Sequence, residues 1–539
     1  MDQTIDCLFI GDNTMSISER ASMLAIKGLK DSAAYRDASM NFISYDNRKY
    51  TASELFNMFY YDEASNNDSY GKITNTGYLN STIAYLGNFL SNRGLNFDYV
   101  NSFKKEKDIL IKKLKENNVL TIAIPTTVYS DFYPIVEIIG FVRKYSKGAK
   151  IIVGGPFILN WVEITPKVEV QNTLKMTGID FAIYSTEGES ALVGIIKALK
   201  CGSGFNGINN IFYRVGAEYI FTKSVPENNS FEDDIIDWNL FKGKVGRFVN
   251  VRTSRSCPFS CSFCNFPHFA GPYKISSVEN VERILNGVND LGTVFQVNFI
   301  DDTFNVPTKR FKEILRMIIK NKYRFKWNSF FRCQYADRET VELMKESGCE
   351  GVFLGIESGS QEILNNMNKS VRIEQYQEGL SLLNEYGIIS SASFIVGFPG
   401  ETYETYQETK KFIEDNKPTF YRASLWLCDP LSSIYKNGEG FKLKGSYSEW
   451  SHATMDSVVA RNLVDDLFLT INNSIWIKSD EYDYLMVFHM LRRGLSLQQI
   501  KSFFSYFNMG LKEMIVDSSN NQISSNVFNR IWEVCLQTT

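Results

Sequence analysis

Three cysteines in one short stretch are the residues of this chain best suited to chemistry. Cys257, Cys261 and Cys264 follow a C-x3-C-x2-C pattern. Spacing this tight lets one loop direct three thiolates at a single metal centre, and three thiolates suit a cubane iron–sulfur cluster in which one iron keeps an open position. A fully ligated cluster would need a fourth cysteine close by, and none follows in the sequence.

A zinc site is the alternative interpretation of the same residues. His268 follows shortly after the last cysteine, and zinc readily accepts three cysteines and one histidine. The spacing alone leaves both metals open. The remaining elements of the sequence favour the cluster.

The aromatic residue Phe263 stands directly before the last cysteine, and with it this loop resembles the signature of the radical S-adenosylmethionine (SAM) superfamily. The resemblance implies a [4Fe–4S] cluster on the three cysteines, with the amino and carboxylate groups of SAM on the open iron and Phe263 next to SAM. It also implies that an electron from the cluster splits SAM to a 5′-deoxyadenosyl radical.

The composition indicates a well-packed protein of several domains. Its 539 residues suffice for two or three domains, and 40 Phe and 28 Tyr argue against disorder. With a net charge of −3 and interspersed charges, we expect no nucleic-acid partner. We see no signal peptide and no apolar run of transmembrane length, so we expect no membrane partner. The other cysteines form no disulfide framework, which fits a reducing, cytoplasmic location.

The N-terminal part predicts a doubly wound parallel sheet. A short apolar strand at 4–10 precedes an aromatic-rich insertion, about 12–77, for which helices packed on the domain are the favoured interpretation over a lid or binding insertion. Buried strands then alternate with amphipathic helices, the strands lying at about 97–100, 120–124, 150–153 and 180–184. Such sheets bind ligands at the carboxyl ends of their strands.

The loops at those strand ends resemble the cobalamin-binding domain that precedes many radical SAM barrels. The resemblance implies cobalamin contacts from Asp12, Asn13, Thr126, Thr127, Val128, Gly154, Gly155, Glu187, Gly188 and Glu189. No histidine precedes His268, so we expect base-off cobalamin without a histidine below the cobalt. A Rossmann-like domain that binds no corrin stays open as the alternative.

The chain divides into four predicted parts. Residues 1–225 form the Rossmann-like cobalamin-binding domain with its insertion, 226–247 a linker, 248–445 a partial (β/α)6 TIM-type radical SAM barrel, and 446–539 a helical C-terminal domain. The barrel strands are expected at about 248–253, 294–300, 326–332, 351–356, 391–397 and 421–427. His452 and His489 are isolated histidines, which we interpret as structural.

Chemistry in such barrels sits at the carboxyl ends of the strands. By position, the resemblance implies that Asp301 and Asp302 hold the SAM amino group, that Glu357 and Ser358 meet its ribose, and that Ile395 and Gly397 lie on the adenine side. Either Arg332 or Arg372 pairs with the SAM carboxylate, and the sequence does not decide between them.

The order of parts resembles the cobalamin-dependent radical SAM methyltransferases, and the opening stretch is similar to the PhpK-type P-methyltransferase group. This implies transfer of a methyl group from SAM, via methylcobalamin, to an unactivated carbon or a phosphinate phosphorus. The substrate would be a peptide or small-molecule natural product, and a reductant such as flavodoxin or ferredoxin would supply electrons. The cofactors carry the hard chemistry, so no side chain is named as catalytic.

Three alternatives stay open. A cobalamin-dependent radical SAM enzyme could instead rearrange, cyclise or epimerise its substrate. A zinc-stabilised binding protein would belong to another class altogether. A methylthiotransferase would carry a second set of clustered cysteines upstream, where only Cys7 and Cys201 occur.

Overall fold

The computed structural model describes residues 3–29, 32–63, 71–74, 78–230, 232, 235–478, 481–516 and 522–536. The chain forms two compact units. The first unit comprises Met1–Met15, Tyr78–Cys257 and Phe266–Gly292, and the second comprises Ser16–Gly77, Pro258–Asn265 and Thr293–Thr539. Gly77, where the predicted insertion ends, lies outside the described residues.

The strands, in chain order, are β1 (Gln3–Asp12), β2 (Ile43–Tyr45), β3 (Arg48–Tyr50), β4 (Phe97–Ser102), β5 (Asn117–Pro125), β6 (Lys150–Gly154), β7 (Phe181–Ile183), β8 (Ile211–Val215), β9 (Glu218–Phe221), β10 (Phe248–Val251), β11 (Ser254–Arg255), β12 (Lys274–Ile275), β13 (Gln296–Phe299), β14 (Lys326–Phe331), β15 (Cys349–Glu357), β16 (Ile389–Val396), β17 (Phe420–Leu425), β18 (Lys444–Ser446), β19 (Glu449–Ser451) and β20 (Ile475–Trp476).

The helices are α1 (Ile17–Ile26), α2 (Ala33–Ser39), α3 (Ala52–Glu63), α4 (Ser81–Ser91), α5 (Lys107–Glu116), α6 (Tyr133–Val142), α7 (Pro156–Ile164), α8 (Lys167–Thr177), α9 (Glu189–Cys201), α10 (Phe266–Ala270), α11 (Val278–Asp290), α12 (Thr308–Asn321), α13 (Arg338–Glu346), α14 (Gln361–Asn366), α15 (Ile373–Glu385), α16 (Tyr403–Asn416), α17 (Ser433–Lys436), α18 (Ser457–Thr470), α19 (Glu481–Arg492), α20 (Leu497–Val516) and α21 (Ser525–Leu536).

The first unit contains a sheet with the order β4-β1-β5-β6-β7-β8-β9. The pairs from β4 to β7 are parallel, and β8 and β9 continue the sheet antiparallel. Alternate residues of β1 point to opposite faces, so Leu8 and Ile10 join one buried cluster while Cys7 and Phe9 join another. Helices cover both faces, which is why these parallel strands are continuously apolar. The predicted doubly wound sheet is confirmed.

The predicted linker 226–247 contains core residues of the first unit. It includes a short 3-10 helix, Trp238–Phe241, in which Trp238 and Phe241 are buried. The Phe241 ring lies 5.8 Å from that of Phe97 and 5.9 Å from that of Tyr99. These contacts fix the middle of the segment onto the sheet.

The second unit contains a parallel sheet with the order β13-β14-β15-β16-β17-β20. Helices α12, α13, α15 and α16 alternate with its strands as the sequence predicts. On one face Phe311 of α12 packs against Trp327 and Phe331 of β14. Strands β13 to β17 correspond to five of the six predicted barrel strands, and β10, which belongs to the first unit, corresponds to the other. The sequence does not predict strand β20, because two residues are too few to show an alternation of apolar and polar side chains.

The aromatic insertion groups with the C-terminal helices, which differs from the expectation that it packs on the domain it interrupts. Tyr45 stacks on Phe528 of α21 with ring centroids 3.8 Å apart, and Phe56 of α3 meets Phe503 of α20 at 6.0 Å. Asp37 of α2 accepts a hydrogen bond of 2.7 Å from Lys478. Apolar and charged contacts therefore both join the insertion to residues more than 400 positions later.

Within the residues that the structure describes, no helix is both long enough and apolar enough to cross a bilayer.

We expect Phe56→Ala to lower the free energy of unfolding of the second unit by about 3–5 kcal/mol, because it removes a fully buried ring from the contact between α3 and α20. Tyr403→Ala, at a ring that is mostly exposed in the same unit, should stay within about 0.5 kcal/mol. Urea unfolding followed by circular dichroism measures both. Equal effects of the two substitutions would contradict a structural role for the insertion.

Candidate functional site

The cysteine loop, residues 257–264, is held by backbone contacts in its second half. Ser262 N donates to Met367 O at 2.8 Å, and Ser262 Oγ donates to Asn366 O at 2.8 Å. Asn368 Nδ2 donates to Ser260 O at 2.9 Å. Asn366 ends α14 and Met367 and Asn368 follow it, so the segment after β15 holds the loop. No motif in the sequence indicates these partners.

Arg332, at the end of β14, lies against the cysteine loop. Its Nη2 donates to Cys261 Sγ at 3.5 Å, and its guanidinium carbon lies 3.4 Å from the ring centroid of Phe259. A guanidinium in this position can offset the negative charge of a group bound beside the loop. Arg372 instead has an exposed side chain at the start of α15. Of the two arginines predicted to pair with the SAM carboxylate, Arg332 is the one that lies beside the cysteine loop.

Buried polar atoms beside the loop fit an anionic group. Arg332 Nη1 and both amide atoms of Asn265 are buried and have no hydrogen-bond partner. Such atoms are rare because each costs free energy unless a ligand or water satisfies it. Cluster sulfur or a SAM carboxylate would accept from Arg332 Nη1 and Asn265 Nδ2, whereas Asn265 Oδ1 would itself accept from a donor. In the described part of the chain no three His, Cys, Asp or Glu side chains are grouped to hold a metal ion, so the three-cysteine ligand set stays a prediction.

Glu357 is the predicted ribose-binding carboxylate, and it ends β15 with a positive φ of 68°. Its Oε1 accepts from Lys369 Nζ at 2.8 Å, and both side chains are buried. A Cβ at Gly355 would lie 2.5 Å from Glu357 Oε1, so glycine makes room for the carboxylate. Lys369 Nζ lies 5.7 Å from the centroid of Phe263, a residue of the cysteine loop. The sequence analysis missed Lys369.

The other predicted SAM residues differ in placement. Asp301 is almost fully buried after β13, whereas Asp302 is exposed. Ser358 Oγ lies 3.1 Å from Thr409 Oγ1 and accepts from Ser360 N at 3.1 Å, so its hydroxyl joins α14 to α16. The structure therefore favours Asp301 as the group that faces the interior.

Gly397, on the predicted adenine side just after the half-buried Ile395, is enclosed by groups that the sequence did not indicate. Its φ is 87°, and a Cβ there would come within 2.4 Å of the Trp450 ring. Gly397 N donates to Glu401 Oε2 at 2.5 Å, and His452 Nε2 donates to Gly397 O at 3.1 Å. This bond places the His452 proton on Nε2, because a carbonyl oxygen only accepts. His452 has a structural contact here, as predicted.

One face of the second sheet carries an aromatic and cationic lining. The rings of Phe330 and Phe353 lie 5.2 Å apart, and the guanidinium carbon of Arg422 lies 4.4 Å from the Phe353 centroid. Arg422 Nε donates to Ser393 Oγ at 3.1 Å. Phe330, Phe353 and Arg422 are all partly accessible. The ring centroid of Tyr484, in α19, lies 6.0 Å from that of Phe353, so α19 packs against this face.

At the carboxyl end of β1, Asp12 and Asn13 make local contacts. Asp12 Oδ1 accepts from Thr14 N at 2.9 Å. Asn13 Nδ2 donates to Pro134 O and to Glu137 Oε2, both at 3.0 Å, while Asn13 Oδ1 is buried without a partner. An acceptor in this position suits a ligand that carries amide groups.

The loop after β5 carries a mixture of packing and accessible residues. Thr126 Oγ1 donates to Gly154 O at 3.0 Å, and Thr127 Oγ1 lies 3.3 Å from the hydroxyl of Thr82. Val128 is 59% exposed, which leaves apolar surface at the strand ends. Gly155 has a φ of 119° and lies against Thr126. The exposed valine and the unpartnered Asn13 oxygen fit a large, partly apolar ligand such as cobalamin.

Glu187 and Glu189, predicted as cobalamin contacts, are bound by basic side chains. Arg255 Nη1 lies 2.5 Å from Glu187 Oε1, and Arg255 Nη2 lies 2.9 Å from Glu189 Oε1. Lys274 Nζ donates to Glu187 Oε1 at 2.8 Å. Burial alone lowers the pKa of Arg255, but Glu189 and its neighbours outweigh burial and raise that pKa above its ordinary value. Gly188, between the two carboxylates, packs on Ile183.

His268, the fourth residue of the alternative zinc site, is paired elsewhere. Its Nε2 lies 2.7 Å from Glu163 Oε2, and both side chains are partly exposed. The contact joins α10 to α7 within the first unit.

Comparisons with known proteins agree with this geometry. Residues 251–413 match the model of the Radical SAM superfamily. The structure is similar to TsrM from Kitasatospora setae, a radical SAM methyltransferase solved with cobalamin and a [4Fe-4S] cluster bound, with a TM-score of 0.60, 15% identity and coverage of 83% of this chain and 98% of that one. It is also similar to the cobalamin-dependent SAM radical enzyme OxsB, with a TM-score of 0.57, 17% identity and coverage of 85% and 77%. At these identities the likeness shows the fold.

Curated relatives cover the chain in part. An uncharacterized methyltransferase of Pyrococcus horikoshii is 27% identical over 56% of this chain and 65% of its own length. An anaerobic magnesium-protoporphyrin IX monomethyl ester cyclase of Rubrivivax gelatinosus is 27% identical over 47% of this chain and 48% of its own length. The chain thus spans less than two thirds of these relatives. The fold of this chain is similar to that of TsrM and of OxsB.

Glu401 gives a pH-dependent prediction. Burial raises the pKa of its carboxyl to about 7, although the Gly397 N–H opposes this shift. Because the folded pKa lies above the unfolded value, the folded state is favoured at low pH and loses stability as pH rises from about 4.5 to about 7. Glu401→Gln keeps the acceptor and stays neutral. We expect it to match the parent at pH 5 and to exceed it by about 2–3 kcal/mol above pH 8.

Urea unfolding at several pH values measures this difference. Glu404→Gln, at an exposed carboxylate three residues later, is the matched control and should not change the pH profile in this way. If the free energies of unfolding of the parent and of Glu401→Gln changed with pH in parallel, the pKa of Glu401 would not be raised in the folded state.

Proposed function

We propose that this protein is a cobalamin-dependent radical SAM methyltransferase that acts on an unactivated carbon, or a phosphinate phosphorus, of a peptide or small-molecule natural product. One observation carries the proposal: a C-x3-C-x2-C loop is anchored at the carboxyl end of a parallel βα sheet, with Arg332 against Cys261. The similarity to TsrM and OxsB supports cobalamin as the methyl carrier.

The three cysteines would hold a [4Fe–4S] cluster, which supplies the electron that cleaves SAM. Arg332 then balances charge at the cluster or at the SAM carboxylate. Glu357 is fixed by Lys369 and keeps a carboxylate oriented to accept from ribose hydroxyls. Asp301 is placed to pair with the SAM ammonium. None of these groups needs to transfer a proton during methyl transfer, so we assign no general acid or base.

The lining of the second sheet bears on the substrate. A partly accessible guanidinium beside two aromatic rings suits a ligand with an anionic group next to an apolar part. A carboxylate of an amino acid or peptide and a phosphinate both meet this description. Arg422 therefore supports the two substrate classes of the proposal alike.

The electron donor and the location belong to the same proposal. An iron–sulfur cluster with an open iron needs reducing conditions, which a cytoplasmic protein has. A flavodoxin or ferredoxin is the proposed reductant.

Anaerobic reconstitution tests the cluster. We expect about four iron and four sulfide atoms per chain in the parent. Cys261→Ala should lose most of the iron and all 5′-deoxyadenosine formation, because a ligand is missing. Cys201→Ala, at an exposed cysteine far from the loop in sequence, should behave like the parent. A colourless, zinc-loaded parent would overturn the proposal in favour of a binding protein.

SAM with an isotopically labelled methyl group tests the transfer. We expect mass spectrometry to find the label on the bound corrin and then in the product once a substrate is supplied. Formation of 5′-deoxyadenosine with an unlabelled, altered product would replace methylation by rearrangement, cyclisation or epimerisation.

A further inference from the structure

We propose that Arg255 is a positioning residue that holds Cys257, the first cysteine of the cysteine loop, through ion pairs with Glu187 and Glu189. These two carboxylates lie where the segment after β7 enters α9, and this segment is called the cobalamin-side loop below. The inference deepens the proposed function, on which its cobalamin arm rests. All the residues that carry it, Cys257 included, belong to the first unit.

The placement of Arg255 is set by the backbone. It forms β11 with Ser254, and β11 pairs antiparallel with β12, where Arg255 stands opposite Lys274. Two cations are thereby brought to one edge. Both reach Glu187 Oε1, Arg255 at 2.5 Å and Lys274 at 2.8 Å.

The carboxylates are held from several sides. Glu189 Oε2 accepts from Asn229 Nδ2 at 3.0 Å, and Glu187 Oε2 accepts from Asn229 N at 3.3 Å. Tyr85 Oη accepts from Arg255 Nη2 at 3.1 Å. Because Glu187, Glu189 and Arg255 are each less than a tenth exposed, their orientations are fixed by neighbours and not by solvent.

Glu227 brings a third carboxylate to the cluster, where it accepts from the backbone N–H groups of Ser190 and Ala191. Burial raises the pKa of Glu227, which moves it towards its neutral form. Glu187 and Glu189 face two basic side chains, Arg255 and Lys274. Removal of Arg255 would leave a buried carboxylate without its partner, which is strongly destabilising locally.

Ser256 transmits the position of Arg255 to the first cysteine. It is buried, has a φ of 67° and separates Arg255 from Cys257 by a single residue. A left-handed backbone at a non-glycine residue persists only where its surroundings hold it. The chain therefore turns sharply and rigidly between the ion pairs and Cys257.

A thiol-alkylation experiment tests the inference without any cofactor. In the anaerobic apoprotein, iodoacetamide labelling of each cysteine is followed by mass spectrometry for the parent, Arg255→Gln and Arg255→Lys. We expect Cys257 to react at least about tenfold faster in Arg255→Gln than in the parent. We expect an intermediate rate in Arg255→Lys, because lysine keeps the positive charge but has one nitrogen where the guanidinium reaches Glu187 and Glu189 with two. Cys7, which is fully buried in β1, reports global unfolding and should stay unreactive.

The matched control is Arg143→Gln, which removes the Arg143–Asp180 pair elsewhere in the first unit. It should leave the Cys257 rate unchanged. An unchanged Cys257 rate in Arg255→Gln, with Cys7 protected, would overturn the positioning role. If Arg255→Gln exposes Cys7, the comparison of Arg255→Lys with the parent decides by the same criterion.

Hydroxocobalamin provides the second arm. We expect its addition to slow Cys257 alkylation in the parent but not in Arg255→Gln, because the cobalamin-side loop is then uncoupled from the cysteine. Equal slowing in both proteins would overturn the coupling. Binding of hydroxocobalamin is read separately from its visible absorbance, so a failure of the proposed function is distinguished from a failure of the positioning role.

Discussion

The constraint on which this structure depends is the concentration of negative charge in a short loop. Thiolate ligands gathered across residues 257–264 would repel one another, so the proposed cluster site calls for nearby cations and a fixed backbone. In the second unit, Arg332 contacts Cys261 while main-chain bonds at Ser262 hold the chain. In the first unit, Arg255 pairs with Glu187 and Glu189 two residues before Cys257.

Most of the fold could be predicted because buried parallel strands appear as short apolar runs and amphipathic helices repeat apolar residues every three to four positions. Alternate residues of β1 join different buried clusters, and the helices between strands recur at regular intervals. Strands β8 and β9 escaped prediction because a short antiparallel extension has a weak pattern. The placement of the insertion also escaped, since its partners lie hundreds of residues later and no local period encodes them.

The positions of the candidate site residues at strand ends could be predicted from the sequence. The side chains that contact them could not. The sequence places Glu357 and Asp301 at the carboxyl ends of parallel strands, which gather at one edge, and the structure has both at strand ends. Their contacts with SAM stay predictions. Lys369 and Arg422 could not, because a lysine in a turn and an arginine in a strand are unremarkable until the fold brings them to Glu357 and Phe353. Glu187 and Glu189 were found as a pair, but their basic partners arrive from β11 and β12. Tertiary contacts of this kind are not written in local sequence.

The packing of residues 16–77 with the C-terminal helices has a consequence for biosynthesis. Phe56 leaves the ribosome early, yet its partner Phe503 is translated more than 400 residues later. At about 5–20 residues per second, the nascent insertion waits roughly 20–90 seconds for its binding surface. During that interval the aromatic segment lacks the helices against which it packs in the folded second unit. The aromatic rings of this segment are therefore open to chaperones, and to other unfolded chains, until the C-terminal helices have been translated.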